Sequence, residues 1–196
     1  MSSLGNWIDE VVAHNRKQIS VAATCIARTH RAGGLVFTAG SGHSLAMVME
    51  TFFRAGGLAI VRPLFRADML PLNGALRSTM AERETGVGTE VVAAVDPGPR
   101  DLVAIFSNSG RNPYPVEIAE GARARGAVVV ALTSVGASQA NPPRGAHRLY
   151  EVADVVLDTM VPPGDVSSPA GNPVTSPLST LACCALWTEI LADTVE

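Results

Sequence analysis

Two pairs of serines stand in matched places, Ser41 with Ser44 in LVFTAGSGHSLAMVMETFF from Leu35, and Ser107 with Ser109 in DLVAIFSNSGRNPYPVEIAEGA from Asp101. In each segment a short apolar run of strand type enters a Gly/Ser loop that opens a helical pattern. Such a junction turns backbone N–H groups and the positive end of a helix dipole toward one spot, which favours an anion. Serine hydroxyls and N–H groups together can saturate the oxygens of a phosphate without a lysine. On neighbouring parallel strands, the two loops would cradle one phosphate monoester and leave the rest of the ligand in the crevice beyond. The competing reading is that the serines merely cap helices, at roughly 1 kcal/mol each. The duplication argues for ligand binding.

Other uses of a Gly-rich loop fit poorly. In GSGHSL, Leu45 stands where a dinucleotide fingerprint needs its third glycine, and the next apolar run ends Val61-Arg62-Pro63 without a ribose-binding acid. No Walker pattern is present, and neither loop reads G-x-S-x-G, so Ser44 and Ser109 are not expected to be nucleophiles. The histidines are far apart in sequence and no Cys/His or Asp/Glu cluster has ligand spacing, so neither a metal nor a cofactor is expected.

The elements that must position these loops alternate along the chain. Trp7, Ile8, Val11, Val12, Ile19, Ala22, Ala23 and Ile26 recur at helical spacing from Leu4 until Gly33-Gly34, predicting one long amphipathic helix. Strand-like runs follow at Leu35–Ala39, Leu58–Val61, Leu102–Phe106, Ala127–Leu132 and Ala153–Leu157, mostly unalternating and so buried on both faces. Helices are predicted from His43 to Gly56-Gly57, from Pro115 to Gly126 and from Pro177 to Asp193. Residues 62–88 and 159–176 carry no assignment, and the second, rich in Pro, Gly and Ser, reads as a functional loop or lid. The pattern predicts an α/β fold of three layers, α/β/α, around a five-stranded parallel sheet in the flavodoxin-like order 2-1-3-4-5. The switch point of that order lies between the first and third strands, which carry the serine loops. Residues 1–196 are expected to form a single domain, with 1–34 a helix packing on the sheet or on a partner and 35–196 the core with its terminal helix.

Composition narrows the partners. With 15 basic and 18 acidic residues the net charge is −3, and the basic residues are scattered, leaving no footprint for nucleic acid. No apolar stretch approaches the roughly 20 residues that span a bilayer. Cys25, Cys183 and Cys184 are an odd set that reads as small core residues, so a reduced, cytoplasmic setting is expected. The second predicted helix is apolar around almost its whole circumference, which predicts that something covers its back, most economically another copy of the chain.

GSGHS, the SNSGRN loop and a terminal helix opening PLST resemble the SIS, or sugar isomerase, domain family, over the stretch from Leu35 to the end of the chain. AGG, LYEVADVVLD and PPGD resemble a branch of phosphosugar isomerase relatives without a settled substrate. The resemblance implies a homodimer or homotetramer with a sugar phosphate near a subunit boundary. It also implies phosphate contacts at Ser44, Ser107, Asn108, Ser109 and Asn112, with Asn112 standing where relatives often have Thr. Hydroxyls of Ser179 and Thr180, near the start of the last helix, are candidates for further phosphate or sugar contacts.

Aldose–ketose isomerisation through an enediol, the chemistry this family implies, needs a carboxylate or imidazole beside the substrate carbons. Glu50, among Met47, Met49, Phe52 and Phe53, is the expected proton shuttle, against the plain alternative of an i,i+4 pair with Arg54 worth about 0.3 to 0.5 kcal/mol. His43 is expected to handle hydroxyl protons or open the sugar ring. Glu82 and Glu84 are second-rank acids that a neighbouring subunit could present, or simply a solvated charge cluster, and His147 could approach the ligand from the loop before the fifth strand. Phosphoheptose isomerases carry a histidine near the position of Glu50, a glutamate near that of Arg54 and a histidine in the last helix, and this chain has none of the three. A sugar-phosphate sensor without catalysis and a lyase acting on an amino-sugar phosphate are the alternative functions.

Overall fold

A computed structural model describes residues 3–194. Five strands, β1 (Val36–Gly40), β2 (Val61–Leu64), β3 (Leu102–Phe106), β4 (Val128–Thr133) and β5 (Val155–Asp158), form one parallel sheet in the order 2-1-3-4-5. β1 and β3 are buried at every residue, which is why their sequences are continuous apolar runs instead of alternating ones. β5 alternates and β2 is partly exposed, as strands at the two edges should be.

Helix α1 (Leu4–Arg31), α2 (Leu45–Thr51) and the terminal α8 (Ser179–Thr194) pack together on one face of the sheet. α4 (Val87–Val95) and α5 (Pro113–Ala124) pack on the other. Three short helices complete the chain: α3 (Ala75–Ala81), α6 (Val135–Gln139) and α7 (Leu149–Val152). α1 turns Trp7, Val11, Ile19, Ala22 and Ile26 inward, each large side chain contributing about 1.5 to 3 kcal/mol by leaving water. Asn15 sits on that same buried face because its amide has partners there. Its Nδ2 donates to the Asp158 carbonyl and its Oδ1 accepts from the Asp158 N–H, both at 2.8 Å, which docks α1 on the end of β5.

Two expectations are corrected. The second strand lies at Val61–Leu64, three residues later than Leu58–Val61, and includes Pro63; an edge strand tolerates a residue without an N–H donor. The helix expected from His43 to Gly57 begins as a 3-10 turn at Gly42–Ser44 and ends at Thr51, because Phe52 is extended and Phe53 takes φ +46°. Residues 62–88, left unassigned by periodicity, hold most of β2, two 3-10 turns, α3 and the start of α4. No described helix is long and apolar enough to cross a membrane.

Candidate functional site

The register of the sheet pairs Gly40 with Phe106, the last residues of β1 and β3. Ser41 and Ser107 are therefore the next residues out of two adjacent strands, and the serine loops face one crevice of about 440 Å³. Ser41, His43, Ser44, Ser107, Asn108 and Ser109 line it on the strand side, with Asn112 at the start of α5. α2 has only seven residues, so its dipole is short and α5, with twelve, is the stronger electrostatic element at this edge.

The second loop is braced on three sides. Gly110 takes φ +55°, and a Cβ there would lie 2.8 Å from Thr133 Oγ1, so the tight turn needs glycine on both counts. Its N–H donates to Ser107 Oγ at 3.3 Å and its carbonyl accepts from Leu149 N–H at 2.8 Å. The Asn108 carbonyl accepts from Thr133 Oγ1 and from Ser134 N–H, and Asn108 Oδ1 accepts from Thr159 Oγ1. Apart from the Gly110 N–H, these bonds use acceptors of the loop and leave its side-chain donors. The Ser44 and Ser109 hydroxyls, the Ser107 proton and the side-chain NH2 groups of Asn108 and Asn112 have no acceptor among the described residues. A ring of unspent donors is what a phosphate needs.

Ser41 is committed differently: its hydroxyl donates to Glu82 Oε2 at 2.8 Å. Glu82 follows α3 in the same chain and lines the crevice, so the second-rank acid of the sequence is a member of the site. Asp165 enters from the loop after β5. It accepts from Leu178 N–H, Ser179 N–H and the Ser179 hydroxyl at 2.8, 3.0 and 2.6 Å, capping α8 from a distance. Ser179 thus lines the crevice with its hydroxyl proton given to Asp165, and Thr180, about 100° further round the helix, does not line it.

Glu50 is placed elsewhere. Six residues beyond Ser44, about 9 Å along a helix, it pairs with Arg54 on a separate groove that includes Gly57 and Trp187. His147 is also away from the crevice, with Nδ1 2.7 Å from Glu120 Oε1, and Glu84 is exposed outside it. Sequence reasoning missed Arg111, Asn141, Arg144 and Asp165, all of which line the crevice. Arg111 stood in plain view two residues after Ser109, whereas Arg144 and Asp165 arrive from loops that only the fold brings near. Burial, then the neighbouring Arg83 and Arg111 charges, lower the pKa of Arg144 against the opposing pull of the Glu82 carboxylate.

The family model of the SIS domain matches residues 1–134. The chain belongs to the SIS-domain family. This SIS domain is 33% identical over 196 residues to the UPF0309 protein of Geobacillus kaustophilus, covering 98% of this chain and 78% of the relative. It is 38% identical over 178 residues to the UPF0309 protein of Brucella ovis, covering 90% of this chain and 73% of that one. Among solved structures, the phosphoheptose isomerase of Neisseria gonorrhoeae superposes with a TM-score of 0.64 over 97% of this chain and 92% of the other, at 17% identity. That likeness shows the SIS fold, with the predicted sheet order.

Proposed function

We propose that this SIS domain binds a sugar phosphate in the crevice at the ends of β1 and β3 and interconverts its aldose and ketose forms through an enediol. The observation that carries the reading is the set of unspent hydroxyl and amide donors on Ser44, Ser107, Asn108, Ser109 and Asn112 at adjacent strand ends. Five neutral donors in fixed positions satisfy three phosphoryl oxygens, and the α5 dipole adds to them. Fixing the phosphate holds the sugar carbons where a carboxylate can reach them.

In this mechanism Glu82 is the proton carrier. One of its oxygens accepts from Ser41, and the other is left to take the proton from C2 of the aldose. His43, which lines the crevice, donates a proton to the C1 oxygen as the enediol forms. The hydroxyl proton on the C2 oxygen then leaves through the same imidazole and Glu82 returns its proton to C1, giving the ketose. Glu50 takes no part from its own chain's groove.

A second copy of the chain is the proposed partner. Met49 and Phe53, around the end of α2, and Leu72, Leu76 and Met80, on α3 and the turn before it, are all more than two-thirds exposed, and such large exposed apolar side chains are the kind of surface another copy covers.

The test is proton exchange. Incubated in deuterated water with a panel of sugar phosphates, the protein should incorporate deuterium at C1 or C2 of one of them. A sugar phosphate that binds, raising the melting temperature, without any exchange would leave a sensor and remove the isomerase.

A further inference from the structure

A donor count in the crevice leaves two guanidiniums over. Arg16, Arg54, Arg66, Arg123, Arg125 and Arg148 are each paired with a carboxylate. Arg111 and Arg144, like Arg28, Arg31, Arg62, Arg77, Arg83 and Arg100, have no such pairing among the described residues, and of these eight they are the two that line the crevice. The two acids of the crevice are engaged elsewhere, Asp165 with the start of α8 and Glu82 with Ser41, so both guanidiniums keep N–H groups for a ligand.

The arrangement is held, not loose. Arg111 Nε donates to the Pro142 carbonyl at 2.8 Å, which fixes the plane of its fork and leaves both terminal nitrogens unbonded. The Arg144 N–H donates to the Arg111 carbonyl at 3.0 Å, tying the two residues together through the backbone. One terminal nitrogen of Arg144 donates to Asn112 Oδ1, leaving Nε and the other terminal nitrogen. Arg148 steadies the same segment, donating to the carbonyls of Ser138 and Asn141 at 3.2 and 3.3 Å.

The neutral donors already suffice for a phosphate. A guanidinium fork matches a planar carboxylate with two parallel hydrogen bonds, and it offers little to an uncharged sugar hydroxyl that a serine would not. We propose that Arg111 and Arg144 form a carboxylate subsite in the crevice, so that the ligand is a phosphorylated sugar bearing an acid group and not a neutral sugar phosphate. This rests on the sugar-phosphate reading above.

Titration calorimetry on the full chain separates the two claims with glucitol 6-phosphate and 6-phosphogluconate as probes, both open six-carbon chains with the same phosphate, one ending in a hydroxymethyl group and the other in a carboxylate. The acid is expected to bind at least about tenfold more tightly, and the ratio should fall to near one in Arg111→Gln, Arg144→Gln and the double variant. Melting curves and the affinity of each variant for inorganic phosphate show that the fold and the serine cradle persist. Equal affinity of the wild-type protein for both probes overturns the carboxylate subsite alone. A ratio that survives in the double variant overturns it too, as does an equal loss of both probes, which would place the arginines on the phosphate. If neither probe nor any other sugar phosphate binds, the sugar-phosphate reading fails and the subsite falls with it.

Discussion

The Ser41 hydroxyl donates to Glu82 Oε2 at 2.8 Å, joining the loop after β1 to the end of α3 across 41 residues of chain. That bond engages one carboxylate oxygen and leaves the other without a hydrogen bond among the described residues. Replacing Glu82 by Gln keeps an acceptor for Ser41 and removes the base, so sugar-phosphate binding should persist while deuterium exchange falls by at least about a hundredfold. Measured beside it, Glu50→Gln decides between the two acids. Exchange lost in Glu50→Gln and kept in Glu82→Gln would mean that the base reaches the crevice from another copy of the chain.

Ser109→Ala removes one hydroxyl donor with no structural bond to lose. Binding of a sugar phosphate should weaken by roughly tenfold to a hundredfold, the range for a hydrogen bond to a charged group. The melting temperature of the free protein should stay put. A calorimetric titration showing unchanged affinity would take Ser109 out of the site.

Asp165→Ala strips three hydrogen bonds from the start of α8. The loss should be about 1 to 2 kcal/mol, or a fall in melting temperature of roughly 2 to 8 °C for a chain of this size. Thermal unfolding checks it, and Asp165→Asn should recover part of the loss because an amide oxygen still accepts.

Arg66 holds Asp68 through two nitrogens, at 3.0 and 2.7 Å, and this hydrogen bonding keeps the Asp68 carboxyl below its ordinary range. Because the folded pKa lies below the unfolded one, the stabilisation is complete above about pH 4. It drains as the pH falls through the folded value. The stability of the wild type should therefore fall more steeply on acidification than that of Asp68→Asn, which is less stable at pH 7 and should converge on the wild type once the pH is below the folded value.

Leu76→Lys places a charge in the exposed apolar surface near α3 without touching the buried core. If a second copy covers that surface, light scattering should report a smaller particle for the variant than for the wild type, at unchanged helix content. Equal mass for both proteins, with the wild type monomeric, would refute the partner.

Much of the fold was legible because the forces that make it are local and periodic. Val36–Gly40 and Leu102–Phe106 are apolar without alternation, so both faces had to be buried, and the sheet order followed from strands alternating with helices. The serine loops were legible for the same reason, since each lies next to the strand that carries it. The second helix was overestimated because its apolar run continues through Phe52 and Phe53, where the backbone has already turned away from the helix.

What the sequence by itself determined was the layered parallel sheet and the two hydroxyl-rich loops at its centre, each encoded within some twenty consecutive residues. The tertiary structure alone decided which charges meet them. Glu82, Arg144 and Asp165 come from three different connections and leave no periodic trace, whereas Glu50, close to Ser44 in sequence, is carried away by the rise of its helix. Nearness along a chain fixes backbone geometry; nearness in space depends on how the crossovers pack, and side-chain chemistry at a crevice is set by the second.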